Sequence, residues 1–197
     1  MREKKYKENY AKKVFKKKIK EKRTVDWPWI VKITLTAFLI SLILSAFSEK
    51  FVPNINIFFS LVLLLVIILI GILFDMIGIA TTAADIKTFN SMATKNVRGS
   101  KLAVYFIKEA DKVSSFCNDV IGDICGIISG SVSVSVALVL SSLYKIDLFI
   151  LSFVITAIVA ALTIGGKAIA KSLAVNKSNV ILYEFARILS YFYKKKS

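Results

Sequence analysis

Histidine is absent from the 197-residue chain, and cysteine occurs only twice, at Cys117 and Cys125. Because structural zinc sites are built from thiolate and imidazole ligands, this composition excludes them. Both cysteines fall in or beside an apolar segment, so they are interpreted as small packing residues rather than as a redox pair. The sequence also lacks a P-loop, a glycine-rich nucleotide fingerprint and a nucleophile–histidine–acid set, and it does not indicate an enzyme.

Acidic residues are scarce as well: 13 Asp and Glu stand against 28 Lys and Arg, for a formal net charge of +15. Twelve of the basic residues lie within residues 2–23, directly before the first apolar run. Such a block favours anionic lipids of the cytoplasmic leaflet as partner, at about 1 kcal/mol per charge. Nucleic acid is not expected, because no base-stacking module accompanies the block. The spacing of its aromatic residues predicts either an amphipathic helix on the membrane surface or a disordered tail.

What the chain has in abundance is apolar sequence, with 56% hydrophobic residues and a mean hydropathy of +0.66. A soluble domain could not cover that much apolar surface. Four runs approach the roughly 20 residues needed to cross a bilayer, at residues 29–47, 55–81, 120–143 and 148–165. The sequence predicts an all-α integral membrane protein with four transmembrane helices and a cytoplasmic juxtamembrane helical hairpin.

The remaining segments are polar and basic, with apolar residues at helical spacing. Residues 86–113 predict two short amphipathic helices around a break at 96–99, and residues 176–193 predict another. The excess of Lys and Arg places both termini and residues 86–113 in the cytoplasm of a multi-pass plasma-membrane protein. The predicted organisation is a basic segment at 1–26, an additional first helix with its outer turn at 27–54, and the main transmembrane domain at 55–193.

Charged side chains inside the apolar runs are functional hypotheses, because inserting each one costs about 2.5–3.5 kcal/mol. Four qualify: Asp75, Asp119, Asp123 and Lys167. Asp119 and Asp123 are four residues apart and share a helix face. Hard cations such as Mg²⁺ prefer carboxylate, amide and hydroxyl oxygens. The candidate metal ligands are Asn118, Asp119, Asp123, Thr81 and Thr82, with Ser114 and Ser115 as further hydroxyls.

Two local alternatives remain open at this point of the sequence. Asp119 either contributes to such a site or caps the third span, where a carboxylate complements the helix dipole. Gly122, Gly126 and Gly130 recur every fourth residue and predict close helix packing. That packing is either internal to the chain or the seam of a homodimer.

Several stretches resemble the transmembrane domain of the CorB/CorC/cyclin-M (CNNM) magnesium and cobalt exporters. Residues 163–174 resemble the family's Gly-Glu-x-x-Pro-Lys-Ser/Thr-x-Ala element. Residues 80–90, followed by Gly99 and Ala103, resemble its Ser-x-Ser-Glu-x-Ala element and the helical hairpin after it. Residues 114–127 occupy the place of its Ser-Thr-x-x-x-x-Asn-x-x-Asn element. The resemblance covers about residues 57–191 and does not include the family's CBS domains.

The resemblance implies a divalent-cation (Mg²⁺ or Co²⁺) transporter-like protein, expected to be a homodimer. Ala83 and Lys167 stand where the family has glutamates, and Ala170 stands where it has a proline. Two alternatives follow from these departures. Either the three aspartates of the apolar runs rebuild a cation site, or Lys167 pairs with one of them and replaces the metal. In the second case the chain is a non-transporting membrane scaffold or accessory subunit.

Overall fold

The computed structural model describes residues 27–51 and 56–192, and within these ranges the chain forms helices and turns without a strand. The predicted all-α class is confirmed for this part of the chain. The basic N-terminal segment, with its predicted amphipathic helix, lies outside the described residues. The helices are α1 Trp27–Phe51, α2 Ile57–Ala83, α3 Ile86–Thr94, α4 Ser100–Lys108, α5 Ala110–Ser115, α6 Asp123–Tyr144, α7 Leu148–Asn176 and α8 Ser178–Phe192; a π-helical segment, Phe116–Gly122, joins α5 to α6.

Three helical stretches are long and apolar enough to cross a bilayer: α2, the continuous stretch Ala110–Tyr144, and α7. The protein is therefore a multi-pass membrane protein. The remaining predicted span, which is the first in the chain, corresponds to α1, whose apolar part, Trp27–Ile43, is shorter. Its crossing of the membrane stays a prediction. Large apolar side chains such as Phe58 and Phe153 are about two-thirds exposed, as expected for surfaces that face lipid.

The chain divides into two units, Met1–Thr36 and Ala37–Ser197. The described part of the first unit is the beginning of α1, where the Thr36 hydroxyl donates to the carbonyl of Lys32 at 2.8 Å. In the second unit, α2, α6 and α7 pack against one another. The short turn between α6 and α7 makes these two helices antiparallel neighbours, with Lys145 in the left-handed conformation.

The core of the three-helix bundle is small and aliphatic. Leu64 and Ile68 of α2 meet Val132 and Val136 of α6, and Val159 of α7 completes the cluster. Branched and aliphatic side chains fill such an interface without leaving polar groups in hydrocarbon. This core lies in the half of the bundle that contains the α6–α7 turn.

At the other end of the bundle, α3, α4 and α8 form a layer that we call the helical belt. Its centre is fully buried and consists of Phe89, Ala103, Leu182 and Ala186. Gly99, in the turn between α3 and α4, has φ of 83° and lies against the backbone of Arg187, so neither its conformation nor its space admits a side chain. The belt is therefore one packed unit rather than three separate surface helices.

The belt is attached to α2 by polar contacts at the α2–α3 junction. Asp85 caps α3, accepting from the N–H groups of Lys87 at 3.1 Å and Thr88 at 3.3 Å. The Asp85 N–H donates to Asn179 Oδ1 of α8 at 2.8 Å, and Ser178 Oγ donates to the Ala83 carbonyl at 3.3 Å. Because the N–H group of Lys87 and the hydroxyl of Thr88 donate to the exposed Asp85 carboxylate, the pKa of that carboxyl is lowered from its ordinary value.

Two helix boundaries differ from the sequence prediction. The third long helix begins at Ala110 rather than near residue 120, so the last part of the predicted amphipathic stretch 86–113 belongs to it. α7 continues to Asn176, well past the predicted limit at 165. The predicted bounds were those of the apolar runs. Residues such as alanine and lysine continue a helix readily beyond such a run.

Candidate functional site

The bundle contains a group of polar and glycine residues where α2, the π-helical segment and α7 meet. We call it the polar junction; its members are Asp75, Gly78, Asn118, Gly122 and Lys167. The π-helical segment supplies two of them. A π-turn inside an α-helix is rare and occurs frequently at functional sites. Here it faces α2, and the two elements pack closely together.

Asn118 and Gly78 are in direct contact. A Cβ atom at residue 78 would overlap the amide of Asn118, so only glycine fits there. The Nδ2 atom of Asn118 donates to Ser114 Oγ at 3.4 Å, whereas Oδ1 is buried without a hydrogen-bond partner among the described residues. Its neighbour in that direction is the Gly78 Cα–H group, which is at best a weak donor. Asn118 Oδ1 is therefore an acceptor with unused capacity.

One turn away on α2, the Asp75 carboxylate faces the ammonium group of Lys167. Lys167 Nζ lies 3.8 Å from Asp75 Oδ1, and the side chains are 28% and 16% exposed, respectively. This separation is longer than that of a charge-assisted hydrogen bond, so the attraction is mainly that of two point charges. A Cβ atom at Gly122 would lie 3.5 Å from Lys167 Nζ and 4.0 Å from Asp75 Oδ1. Gly122 thus lies directly beside the pair.

The depth of this ion pair follows from helix geometry. At about 1.5 Å per residue, Asp75 lies about 27 Å along α2 from Ile57, and Lys167 lies about 29 Å along α7 from Leu148. The hydrocarbon core is about 30 Å thick. The pair is therefore at the belt-side edge of the hydrocarbon rather than at its centre. At that depth a charged side chain can reach water or headgroups, which lowers the cost of keeping it.

The structure places the predicted metal ligands in different surroundings. Asp119, Asp123 and Thr82 are exposed, whereas Thr81 is buried and its hydroxyl donates to the carbonyl of Ile77 at 2.8 Å. The Thr82 hydroxyl likewise donates to Ile79 at 2.8 Å. Across the described residues, no group of three or more His, Cys, Asp or Glu side chains is arranged to hold a metal ion. Within one copy of the chain, the carboxylate that faces the polar junction is Asp75.

The three glycines of the third long helix also differ from one another. Gly122 lies against the ion pair, whereas a Cβ atom at Gly126 or Gly130 would meet nothing within 4 Å in this chain. The close helix contacts instead use glycines that the repeat did not single out. A Cβ atom at Gly71 would lie 3.0 Å from that of Cys125, and Gly166 packs against Ile72.

A sequence signal for this packing does exist. Gly71, Asp75 and Gly78 are spaced by four and three residues, so they form one face of α2. That face is the one in contact with the π-helical segment and Lys167. The stripe combines a charged residue with two glycines, so neither charge nor glycine spacing alone indicates it.

Comparison with known proteins adds no assignment to this geometry, since no family model, curated protein or solved structure matches the chain.

Proposed function

We propose that the protein is a non-transporting membrane scaffold or accessory subunit, with a transmembrane domain of the CorB/CorC type whose cation position is taken by Lys167. The observation that carries the proposal is the 3.8 Å separation between Lys167 Nζ and Asp75 Oδ1. An ammonium group beside the Asp75 carboxylate neutralises it without a metal. A divalent cation in the same place would meet the repulsion of that ammonium at close range.

The test removes the ammonium and measures both stability and cation binding. Lys167→Met should lower the unfolding free energy by about 1–3 kcal/mol, a value between those for surface and buried ion pairs, because Asp75 would be left without a counter-charge. Lys171→Met is the matched control, since Lys171 is exposed on the same helix. Neither the wild-type protein nor the control should bind Mg²⁺ in calorimetric titration. Equal melting temperatures of Lys167→Met and Lys171→Met would contradict the proposal, as would Mg²⁺ binding by the wild-type protein.

A second candidate function is divalent-cation transport, and the observation that favours it is the buried Asn118 Oδ1, which has no hydrogen-bond partner in the part of the chain that the structure describes. That oxygen lies against Gly78, which is three residues from Asp75 on α2. The amide oxygen and the Asp75 carboxylate are two of the ligand types that Mg²⁺ prefers. In this proposal Lys167 is a resident counter-ion that an entering cation displaces. The predicted ligands Asp119 and Asp123 are exposed, so they contribute only if a homodimer covers them.

Mg²⁺ and Co²⁺ titrations of Asn118→Ala and Asp123→Asn distinguish the two functions. Transport requires that the wild-type protein binds one of these cations and that Asn118→Ala does not. Asn90→Ala on α3 is the control, because the Asn90 amide is exposed. Loss in Asp123→Asn as well would support a shared site between two copies. Absence of binding in every protein eliminates the transport proposal and leaves the scaffold.

For both functions we propose the same orientation, with the helical belt and both termini in the cytoplasm of the plasma membrane. The belt and the terminal segments contain many more Lys and Arg residues than the α6–α7 turn does, and such an excess is typical of the cytoplasmic side. In a variant without the native cysteines, a membrane-impermeant maleimide should label Lys145→Cys in intact cells. It should leave Ser91→Cys on α3 unlabelled until the cells are opened. The reverse pattern would overturn the orientation.

A further inference from the structure

A cleft of about 460 Å³ lies between the helical belt and the membrane helices. Its walls are mainly apolar: Phe74 of α2, Phe106 of α4, Val113 of α5, Cys117 of the π-helical segment and Phe185 of α8. The rings of Phe106 and Phe185 are 5.9 Å apart and form one wall. Both the volume and the lining are those of a site for a small apolar ligand or for part of a larger amphiphile.

The position of the cleft indicates which ligand reaches it. Phe74 precedes Asp75 in α2 and therefore lies at the belt-side edge of the hydrocarbon. Phe116 and Tyr105, which also line the cleft, are 47% and 58% exposed. Aromatic side chains at this level are typical of contact with the boundary between headgroups and acyl chains. The molecule present there at highest concentration is a membrane lipid.

The polar part of the cleft is an ion pair. Lys112 Nζ lies 3.1 Å from Glu109 Oε2, and the two side chains are 56% and 40% exposed. Both residues line the cleft. A pair of opposite charges at the surface complements a zwitterionic headgroup, whose phosphate is attracted to the lysine and whose ammonium is attracted to the glutamate. A purely anionic headgroup would gain from Lys112 but would be repelled by Glu109.

We propose that this cleft is a phospholipid site, which holds one acyl chain against Phe106 and Phe185 and a zwitterionic headgroup at Glu109 and Lys112. The site fixes the belt to the lipid beside it, in addition to the contacts around Asp85 that attach the belt to α2. It is independent of whether the polar junction binds a cation.

The test uses full-length protein in nanodiscs of phosphatidylglycerol, in which a phosphatidylethanolamine whose acyl chain carries a diazirine replaces an increasing share of the lipid. After illumination, labelled peptides are quantified by mass spectrometry. Labelling of the peptide that contains Val113 and Cys117 should saturate with probe and be displaced by excess unlabelled phosphatidylethanolamine. Labelling around Val134, which is 46% exposed on α6, should rise linearly as for ordinary surrounding lipid. Linear labelling at both positions would overturn the proposal.

Two variants test the cleft itself. Val113→Phe narrows the cleft and should reduce the saturable labelling about tenfold, as expected when roughly two methylene groups of the acyl chain are excluded. Val134→Phe is the matched control and should leave that labelling unchanged. Glu109→Gln removes the negative charge that repels an anionic headgroup and should shift the competition toward phosphatidylglycerol by about fivefold. If Val113→Phe does not fold, the saturation measurement on the wild-type protein decides alone; an unaltered lipid preference in Glu109→Gln would overturn the headgroup assignment.

Discussion

The amide of Asn118 occupies the space that a side chain at Gly78 would need. This contact packs the π-helical segment directly against the backbone of α2, one turn from the Asp75–Lys167 ion pair. The two features meet at the π-helical segment, because Gly122 of that segment lies directly beside the ion pair that Asp75 forms with Lys167 of α7. The polar junction should therefore respond as a unit to changes in its small residues.

Gly78→Ala is expected to destabilise the protein by about 1–3 kcal/mol, the usual cost of overpacking a tight contact. Because the clash is with one amide, Asn118→Ala should relieve part of it, and the double variant should be more stable than additivity predicts. Thermal unfolding in detergent measures all three. Gly165→Ala is the control, since a Cβ atom there would meet nothing within 4 Å. Strict additivity would mean that the two residues do not share space.

Gly126→Leu should have little effect on the unfolding free energy, within about 0.5 kcal/mol, because its side of the helix is open in this chain. Gly71→Leu, in contrast, should destabilise the bundle, since even a Cβ atom would lie 3.0 Å from that of Cys125. If the homodimer expected from the sequence uses the open face, Gly126→Leu should also reduce cross-linking between copies. Unchanged cross-linking would place the dimer seam elsewhere.

Asp85 gives the belt a defined pH dependence. Its pKa is lowered in the folded protein by the N–H groups of Lys87 and the hydrogen bonds of Thr88, so the charged cap is stabilising above the ordinary value of 3.8. That stability is lost as pH falls through the lower, folded-state pKa. Hydrogen exchange at the amides of Lys87 and Thr88 should therefore accelerate as the pH falls below 3.8, after correction for intrinsic rates. Asp85→Asn should remove this dependence while keeping an acceptor; a wild-type profile in that variant would contradict the assignment.

Arg98 holds the end of α8 through Tyr191. Its guanidinium carbon lies 3.5 Å from the centre of the ring, and both side chains are exposed. The contact should contribute about 0.5–1 kcal/mol, so Arg98→Ala should increase proteolysis near the end of α8 by a few-fold. Tyr191→Phe retains an aromatic ring and should behave like the wild-type protein. Equal cleavage in Tyr191→Leu and the wild-type protein would show that the ring does not stabilise this helix.

The sequence predicted the parts of this fold that depend on long apolar runs and on helical spacing. The all-α class, the membrane helices and the helical break at Asn96 and Gly99 follow from local composition and turn chemistry. The polar junction did not follow, because it depends on which faces of α2 and the π-helical segment meet. Asp119 and Asp123, which were predicted to share a helix face, are both exposed, whereas Asp75 faces Lys167. A π-turn changes the register of the residues after it, and helical periodicity alone does not reveal one.

The location of Lys167 has a consequence for how the chain enters the membrane. Its counter-charge is on α2, which is synthesised long before α7, so the ammonium is unpaired until the two helices have met. An α7 that has not joined α2 therefore retains a lone cation near one end of its apolar stretch. That cation favours sliding of α7 toward the headgroups, and correct pairing is needed to hold the helix at its final depth. Lys167 thus links the insertion of the last membrane helix to the completion of the bundle.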